Sequence, residues 1–128
     1  MKDLHSSISI ITATAAAVII GNKTSAAIDL QGFQSAEIVV ATGAVDGAGD
    51  FTTELQESDT TAGGDFTAVA ASDLIGEFPE SLVADSVVQV GYRGTKRYIR
   101  TVTTKNSGTS IAGSVVVVKG HPDLAPVA

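Results

Sequence analysis

The sequence has no cysteine and no tryptophan, and it has only four Phe and two Tyr among 128 residues. Without cysteine the chain has no disulfide, no thiolate metal site and no cysteine nucleophile. Few aromatic rings leave little surface on which a sugar could stack. At this length a core of small and β-branched side chains is large enough for folding, so we expect one domain over residues 1–128.

Basic residues are missing from more than half of the chain. No Lys or Arg lies between Thr24 and Tyr92, a range that holds twelve Asp or Glu, whereas six basic residues and one acidic residue follow from Arg93 onward. The net charge of −6 disfavours nucleic acid as a partner. The uneven distribution has two interpretations: ordinary solvated surface, or an acidic face that meets a basic edge in an assembly.

Motifs for catalysis and for cofactor binding are also lacking. Neither the phosphate-loop pattern GxxxxGK[ST] nor the nucleophile elbow GxSxG is present. The two histidines, His5 and His121, lack a third zinc ligand nearby in sequence. Four Asp residues in Gly-rich loops offer oxygen atoms without EF-hand spacing: Asp46, Asp50, Asp59 and Asp65. The sequence therefore predicts a protein that is not an enzyme and has no cofactor or metal.

The most apolar stretch is Ile8–Ile20. It is shorter than the roughly twenty residues that cross a bilayer. Thr and Ser interrupt it, and Asp3 offsets Lys2, which argues against a signal peptide. We expect no membrane partner. The stretch predicts one or two buried strands broken near Thr14–Ala16, or a helix from Ala13 to Ile20.

Alternation of apolar and polar residues predicts several half-buried strands. In Ser25–Leu30 the residues Ala26, Ile28 and Leu30 share one face, and Phe51–Ser58 places alternate residues inward. The inward residues of the second strand are Phe51, Thr53 and Leu55. Two further strands are expected to be buried: Ala36–Thr42, on both faces around Ile38–Val40, and Val115–Val118. The remaining expected strands are Phe66–Ala70 (a hairpin with Phe51–Ser58), Leu82–Ala84, Val87–Tyr92 and Tyr98–Thr103. About eight short strands with regular turn signals predict an all-β fold, a single antiparallel β-sandwich of jelly-roll type.

A basic loop, Arg93–Arg97, joins Val87–Tyr92 to Tyr98–Thr103 and predicts a β-hairpin. The second strand has two acceptable inward sets, Tyr98/Arg100/Val102 and Ile99/Thr101/Thr103. Arg is suited to bidentate pairing with a neighbour's carboxylates. The alternative is pairing with the acidic strands of the same chain.

Polar ends flank the predicted sandwich. Met1–Ser7 predicts an N-terminal arm, and Gly120–Ala128, with two prolines, predicts an extended tail that does not continue a strand. Both segments are candidates for contact with a partner, with frayed ends as the alternative. The candidate protein–protein interface consists of Arg93, Lys96, Arg97, Arg100, His121, Pro122, Leu124, Pro126, Leu4 and His5.

Five segments carry a resemblance to a known family. They are Met1–His5, Ala27–Glu37, Leu55–Asp59, Val90–Arg100 and Gly120–Pro122 with Ala125–Val127. In this ordered set the chain resembles small virion proteins of tailed bacteriophages that are encoded near the major capsid protein.

The resemblance implies a structural role on the phage head. It implies a capsid decoration or cement protein that forms a homo-oligomer, binds the major capsid protein and lies on the capsid surface after assembly in the bacterial cytoplasm. A head–tail connector or tail component is the alternative within the virion. A carbohydrate-binding β-sandwich is the alternative outside it, because Arg97–Arg100 resembles a strand of such domains.

Overall fold

The computed structural model describes residues 4–123 and confirms the all-β antiparallel sandwich. The strands are β1 (Ile8–Ile19), β2 (Lys23–Thr24), β3 (Ile28–Asp29), β4 (Phe33–Asp46), β5 (Asp50–Ser58), β6 (Thr67–Ala68), β7 (Leu74–Ile75), β8 (Val87–Tyr92), β9 (Tyr98–Ser107) and β10 (Ser110–Pro122). Short 3₁₀ turns cover His5–Ser7, Gly63–Asp65 and Ala71–Asp73. The strand count exceeds the expected eight because four of the ten strands have only two residues.

The strands form two sheets. The first sheet has the order β1-β10-β4-β8-β7, and the second has the order β2-β9-β5-β6, with β3 also paired to β9. The core lies between them: Ile38, Val117 and Val90 of the first sheet are fully buried, as are Phe51 and Ile99 of the second.

Alternation places the expected residues inward in the second sheet. Phe51, Thr53 and Leu55 are buried, which confirms the predicted face of β5. In β9 the inward set is Ile99, Thr101 and Thr103. The hydroxyls of Thr53 and Thr103 lie 3.1 Å apart and hydrogen-bond inside the core. The hairpin of β5 with β6 is also confirmed.

The strand predicted over Ser25–Leu30 is wrong in its first half. Ser25 is buried and Ala26 is exposed, because the chain leaves the sheet between β2 and β3. The Ser25 hydroxyl accepts a hydrogen bond from the Thr101 backbone N–H at 2.9 Å, so its side chain turns inward. The segment expected at Leu82–Ala84 forms no strand.

The apolar stretch is one strand and not a helix, but it is largely exposed. Only Ile19 of β1 is buried, whereas Ile10 and Val18 are exposed. The strand lies at the edge of the first sheet, where one side has no neighbour within the described chain. The expectation of a buried strand was wrong because periodicity does not reveal a strand's place in the sheet.

The predicted hairpin over the basic loop is also wrong. β8 pairs with β4 and β7 in the first sheet, whereas β9 pairs with β5, β2 and β3 in the second. The loop Arg93–Arg97 therefore crosses from one sheet to the other. Packed sheets lie about 10 Å apart, a distance that five residues span easily.

The C-terminal tail was expected to leave the sheet at Gly120, but β10 continues to Pro122, which lies opposite Phe33 of β4. Proline is tolerated there because β1 begins at Ile8, opposite Gly120, so that side of Pro122 has no strand to which it must donate. Residues 1–3 and 124–128, including Leu124 and Pro126, lie outside the described part of the chain.

Candidate interaction surface

The crossing loop is anchored by Tyr92, the last residue of β8. The Tyr92 hydroxyl donates to Glu57 Oε1 at 2.7 Å and accepts from the Lys96 backbone N–H at 3.2 Å. Burial, together with the Glu57 carboxylate, raises the pKa of Tyr92 well above its ordinary range. Gly94 packs against the ring, since a Cβ there would lie 2.5 Å from the hydroxyl. The loop is therefore held to both sheets.

Two of the basic side chains are paired within the chain. Arg97 binds Asp29 through Nε and Nη2 at 3.0 and 2.9 Å, and Lys96 Nζ lies 2.9 Å from Asp59 Oδ2. The hydrogen bonds from Arg97 lower the pKa of Asp29 to about 2. For these two residues the structure has the intramolecular pairing that the sequence left open.

Arg100 and Arg93 have other surroundings. Arg100 Nε donates to Gln56 Oε1 at 2.8 Å, and its guanidinium lies 4.4 Å from the centre of the Phe66 ring. Arg93 is exposed and donates through Nε to the Ser72 carbonyl at 3.2 Å. Within residues 4–123 Arg93 forms no ion pair. Of the four predicted basic residues, Arg93 and Arg100 have no ion pair within the described chain, and Arg93 is the more exposed of the two.

An open groove of about 550 Å³ runs along this loop. The chain from Leu30 to Ala36 and the residue Asp123 also line it. Gln34 Nε2 donates to Asp123 Oδ1, which ties the start of β4 to the end of β10. The groove is lined by polar and apolar groups, and it brings three predicted interface residues together: Arg93, Lys96 and Arg97.

A second cavity, of about 290 Å³, lies where the chain ends meet. Leu4, His121 and Pro122 line it together with Ile8. His121 Nδ1 is 2.7 Å from Ser35 Oγ, and its backbone has a φ of 49°, a left-handed conformation that is uncommon outside glycine. His5 is exposed in the adjacent 3₁₀ turn. The predicted terminal residues within the described chain thus gather at one end of the sandwich.

The outer face of the first sheet is a feature that the sequence analysis missed. Residues directly opposite one another in neighbouring strands share a face. The rows on this outer face are Ile10–Val118–Glu37–Gly91, Thr12–Val116–Val39–Gln89 and Ser114–Ala41–Val87, with Val18 opposite Ala112 and Ile75 over Gly91. Ile10, Val18, Ile75 and Val87 are all exposed. We call this surface the apolar face.

A signal for the apolar face exists in the sequence. Val115–Val118 and Ile38–Val40 are consecutive apolar residues, which make both faces of a strand apolar. Such runs predict burial on both sides. Here, one side lies in the core and the other faces outward.

The outer face of the second sheet is polar. Its rows are Thr24–Val102–Glu54 and Ala68–Gln56–Arg100, followed by Thr52–Thr104. Arg100 and Gln56 hydrogen-bond across the strands, and Asn106 Nδ2 donates to Thr52 Oγ1 at 2.8 Å. Together with the Asp29–Arg97 pair, these contacts give a surface whose polar groups bind one another. We call it the polar face.

Among residues 4–123 no group of three or more His, Asp or Glu side chains is arranged to hold a metal ion. The same residues include no helix with the length and hydropathy to cross a membrane.

The chain matches no protein-family model and no curated protein sequence. It is similar in structure to the SPBc2 prophage-derived protein YomS, with 12% identity and a TM-score of 0.48, over 88% of this chain and 91% of that one. It is also similar to the Yersinia pseudotuberculosis-derived mitogen, with 14% identity and a TM-score of 0.45, over 91% and 88%. A chain of infectious bursal disease virus Gx strain aligns at 15% identity and a TM-score of 0.44, over 89% of this chain and 32% of that one. At these values the similarities carry no argument about function.

Proposed function

We propose that this protein is a structural virion protein of a tailed bacteriophage that decorates the capsid and stabilises it by bridging copies of the major capsid protein. The apolar face carries the proposal. The resemblance described above supplies the identity of the partner, and the structure supplies a surface suited to it.

The apolar face has the composition of a binding surface. Monomeric soluble proteins rarely expose contiguous apolar patches of more than a few hundred Å². Here apolar side chains lie on all five strands of one sheet, from Ile10 and Val18 on β1 to Val87 on β8 and Ile75 on β7, with the exposed polar residues Glu37 and Gln89 among them. Burying one exposed Val or Ile side chain contributes about 1.5–3 kcal/mol. Several of them together offset the entropic cost of association.

The remaining surface suits a protein that sits on a shell with one side in solvent. The polar face lies on the opposite side of the sandwich, and there Asp29 is bound to Arg97 and Arg100 to Gln56. At the end of the sandwich, exposed Arg93 supplies a guanidinium for a carboxylate of a neighbouring subunit. The apolar face thus provides binding energy, and Arg93 provides orientation.

The first test is the copy number of this chain per purified virion, relative to the major capsid protein. The proposal expects hundreds of copies, at parity with the capsid subunit or at a simple fraction of it. A count of about six or about twelve, as in a ring, would contradict decoration and assign the protein to the head–tail junction. Absence from virions would contradict both virion roles, and glycan binding by the purified protein would then be tested.

A further inference from the structure

β1 is the long edge strand of the described chain. The other edge strands are β7, β6, β2 and β3, each two residues long, and beyond β7 the residues Val87–Val90 of β8 have no strand partner on that side. Very short edge strands are one means by which proteins prevent edge-to-edge pairing. β1 has twelve residues and pairs on one side only, with β10.

The sequence of β1 lacks the usual protection against pairing. Ile8–Ile19 contains no charged residue and no proline, and Ile10 and Val18 are exposed. Proteins commonly place Lys or Pro on an exposed edge. The outward N–H and C=O groups of an edge strand have no partner in their own sheet, and another β-strand can bind them.

Two register irregularities limit where pairing can occur. They lie between Thr12 and Thr14 and between Thr14 and Ala17. From Ile8 opposite Gly120 to Thr12 opposite Val116 the register is unbroken. Bulges bend an edge strand and disrupt its ladder. The regular segment Ile8–Thr12 is therefore the part of the edge on which a further strand fits.

We infer that a second copy of this chain occupies this edge: the Ile8–Thr12 segments of two copies pair antiparallel about a two-fold axis at Ile10. When two copies pair about a two-fold axis, the residue at the axis lies opposite the same residue of the other copy. A charged side chain there would therefore face a like charge. The chain carries a net charge of −6, yet the residues from Leu4 to Asn22 contain no Lys, Arg, Asp or Glu. This edge is where two copies can approach without like-charge repulsion.

The pairing joins the two five-stranded sheets into one sheet of ten strands. A two-fold axis perpendicular to a sheet keeps corresponding faces on the same side, so the two apolar faces become one continuous surface. The inference does not rest on the proposed role in the virion, because it uses only the edge strand and its charge.

The test is the oligomeric state of the purified protein, measured by sedimentation velocity over a range of concentrations. We expect a dimer that dissociates on dilution. Ile10→Lys and Ile10→Glu each place like charges at the axis, so each variant alone is expected to dimerise at least about 100-fold more weakly. An equimolar mixture of the two variants is expected to restore dimers, since opposite charges then meet.

The matched control is Val87→Lys. Val87 lies on the same apolar face with an exposure of 62%, against 61% for Ile10, but on β8, three strands away from β1 in the sheet order. This variant is expected to dimerise as the wild type does. A wild type that is monomeric at all concentrations overturns the inference, as does a dimer that neither Ile10 variant weakens. Equal dissociation by Val87→Lys also overturns it, because apolar faces rather than edges would then be in contact.

A measurement on the unaltered chain gives an independent readout. Hydrogen exchange of the amides in residues 8–12 is expected to slow as the protein concentration rises, while exchange in β7 stays constant. Exchange in residues 8–12 that does not depend on concentration contradicts the inference. Both experiments use isolated protein, so their result is separate from the virion copy number.

Discussion

Both outer faces of this sandwich are formed by antiparallel strands, but their side chains differ in the contacts that they make. On the polar face, polar groups bind one another: Arg100 binds Gln56, and Asp29 binds Arg97. On the apolar face, Ile10, Val18 and Val87 contact little and remain exposed. Folding alone accounts for the polar face. Folding does not account for the exposed side chains of the apolar face, which is why our proposal places the capsid-binding surface there.

The largest expected effect tests this difference directly. Val39→Lys places a charge at the centre of the apolar face, where capsid binding would bury it. We expect binding to capsids that lack this protein to weaken at least about 100-fold, because the ammonium group would lose its hydration in the interface. Quantitative co-sedimentation with such capsids measures it.

The matched substitution on the polar face is Val102→Lys. Val102 is also half-buried and is flanked by paired strands on both sides. It is expected to leave capsid binding unchanged. If the two variants bind equally well, the apolar face is not the capsid surface. If Val102→Lys alone loses binding, the assignment of the two faces is reversed.

The second effect concerns the anchor that joins the two sheets. Tyr92→Phe removes the hydroxyl that binds Glu57 and the Lys96 backbone N–H. We expect the free energy of unfolding to fall by about 1–3 kcal/mol, because partly buried polar groups lose their partner. Urea denaturation measures it. Tyr98→Phe, on the polar face, is the control and should change stability by less than about 0.5 kcal/mol; equal losses would contradict the anchor.

The third effect is a pH dependence confined to the side of the polar face. The pKa of Asp29 is about 2 in the folded protein, against an ordinary value of 3.8. A carboxyl group with a lowered pKa stabilises the fold above its unfolded pKa, and this stabilisation is lost as the pH falls from about 4 to about 2. Since both side chains are more than 40% exposed, we expect only about 1 kcal/mol.

The Asp29→Asn variant should lose less free energy of unfolding than the wild type between pH 5 and pH 2. Urea denaturation at each pH measures this difference. Asp59→Asn is the comparison, because the Lys96–Asp59 contact is a single hydrogen bond and is more exposed. A wild type and an Asp29→Asn variant with identical pH profiles would show that the Arg97 pair does not stabilise the fold.

The smallest expected effect concerns the contribution of the apolar face to the stability of the fold. Val87→Thr and Val18→Thr replace exposed apolar groups by polar groups of similar shape. We expect the free energy of unfolding to change by less than about 0.5 kcal/mol, the usual range for surface positions. Thermal and urea denaturation measure it. Destabilisation by more than about 1.5 kcal/mol in both variants would indicate that the apolar face supports the fold and would remove the contrast with the polar face.

Local patterns predicted which residues form strands better than they predicted which strands lie next to one another. The alternation in β5 identified Phe51, Thr53 and Leu55 as core residues because a period of two follows from strand geometry alone. The same reasoning left the inward set of β9 open, since Tyr98/Arg100/Val102 and Ile99/Thr101/Thr103 alternate equally well. The choice follows from packing against the other sheet, which buries Ile99.

The candidate interface was predicted in part. The basic loop and the chain ends were identified by charge and by lack of alternation, and the structure gathers them around the start of β4. Sequence reasoning could not tell that Lys96 and Arg97 are paired to Asp59 and Asp29, residues far away in the chain. Their role in binding a partner stays a prediction.

Taken alone, the sequence determined the class of fold, most strand positions, the absence of cysteine chemistry and the uneven distribution of charge. These depend on side-chain type and on a period of two, both of which are local. The tertiary structure decided that β8 and β9 belong to different sheets, that β1 lies at an edge and that one outer face is apolar. Each of these depends on which strands pair, and pairing is set by contacts between residues that are distant in the chain.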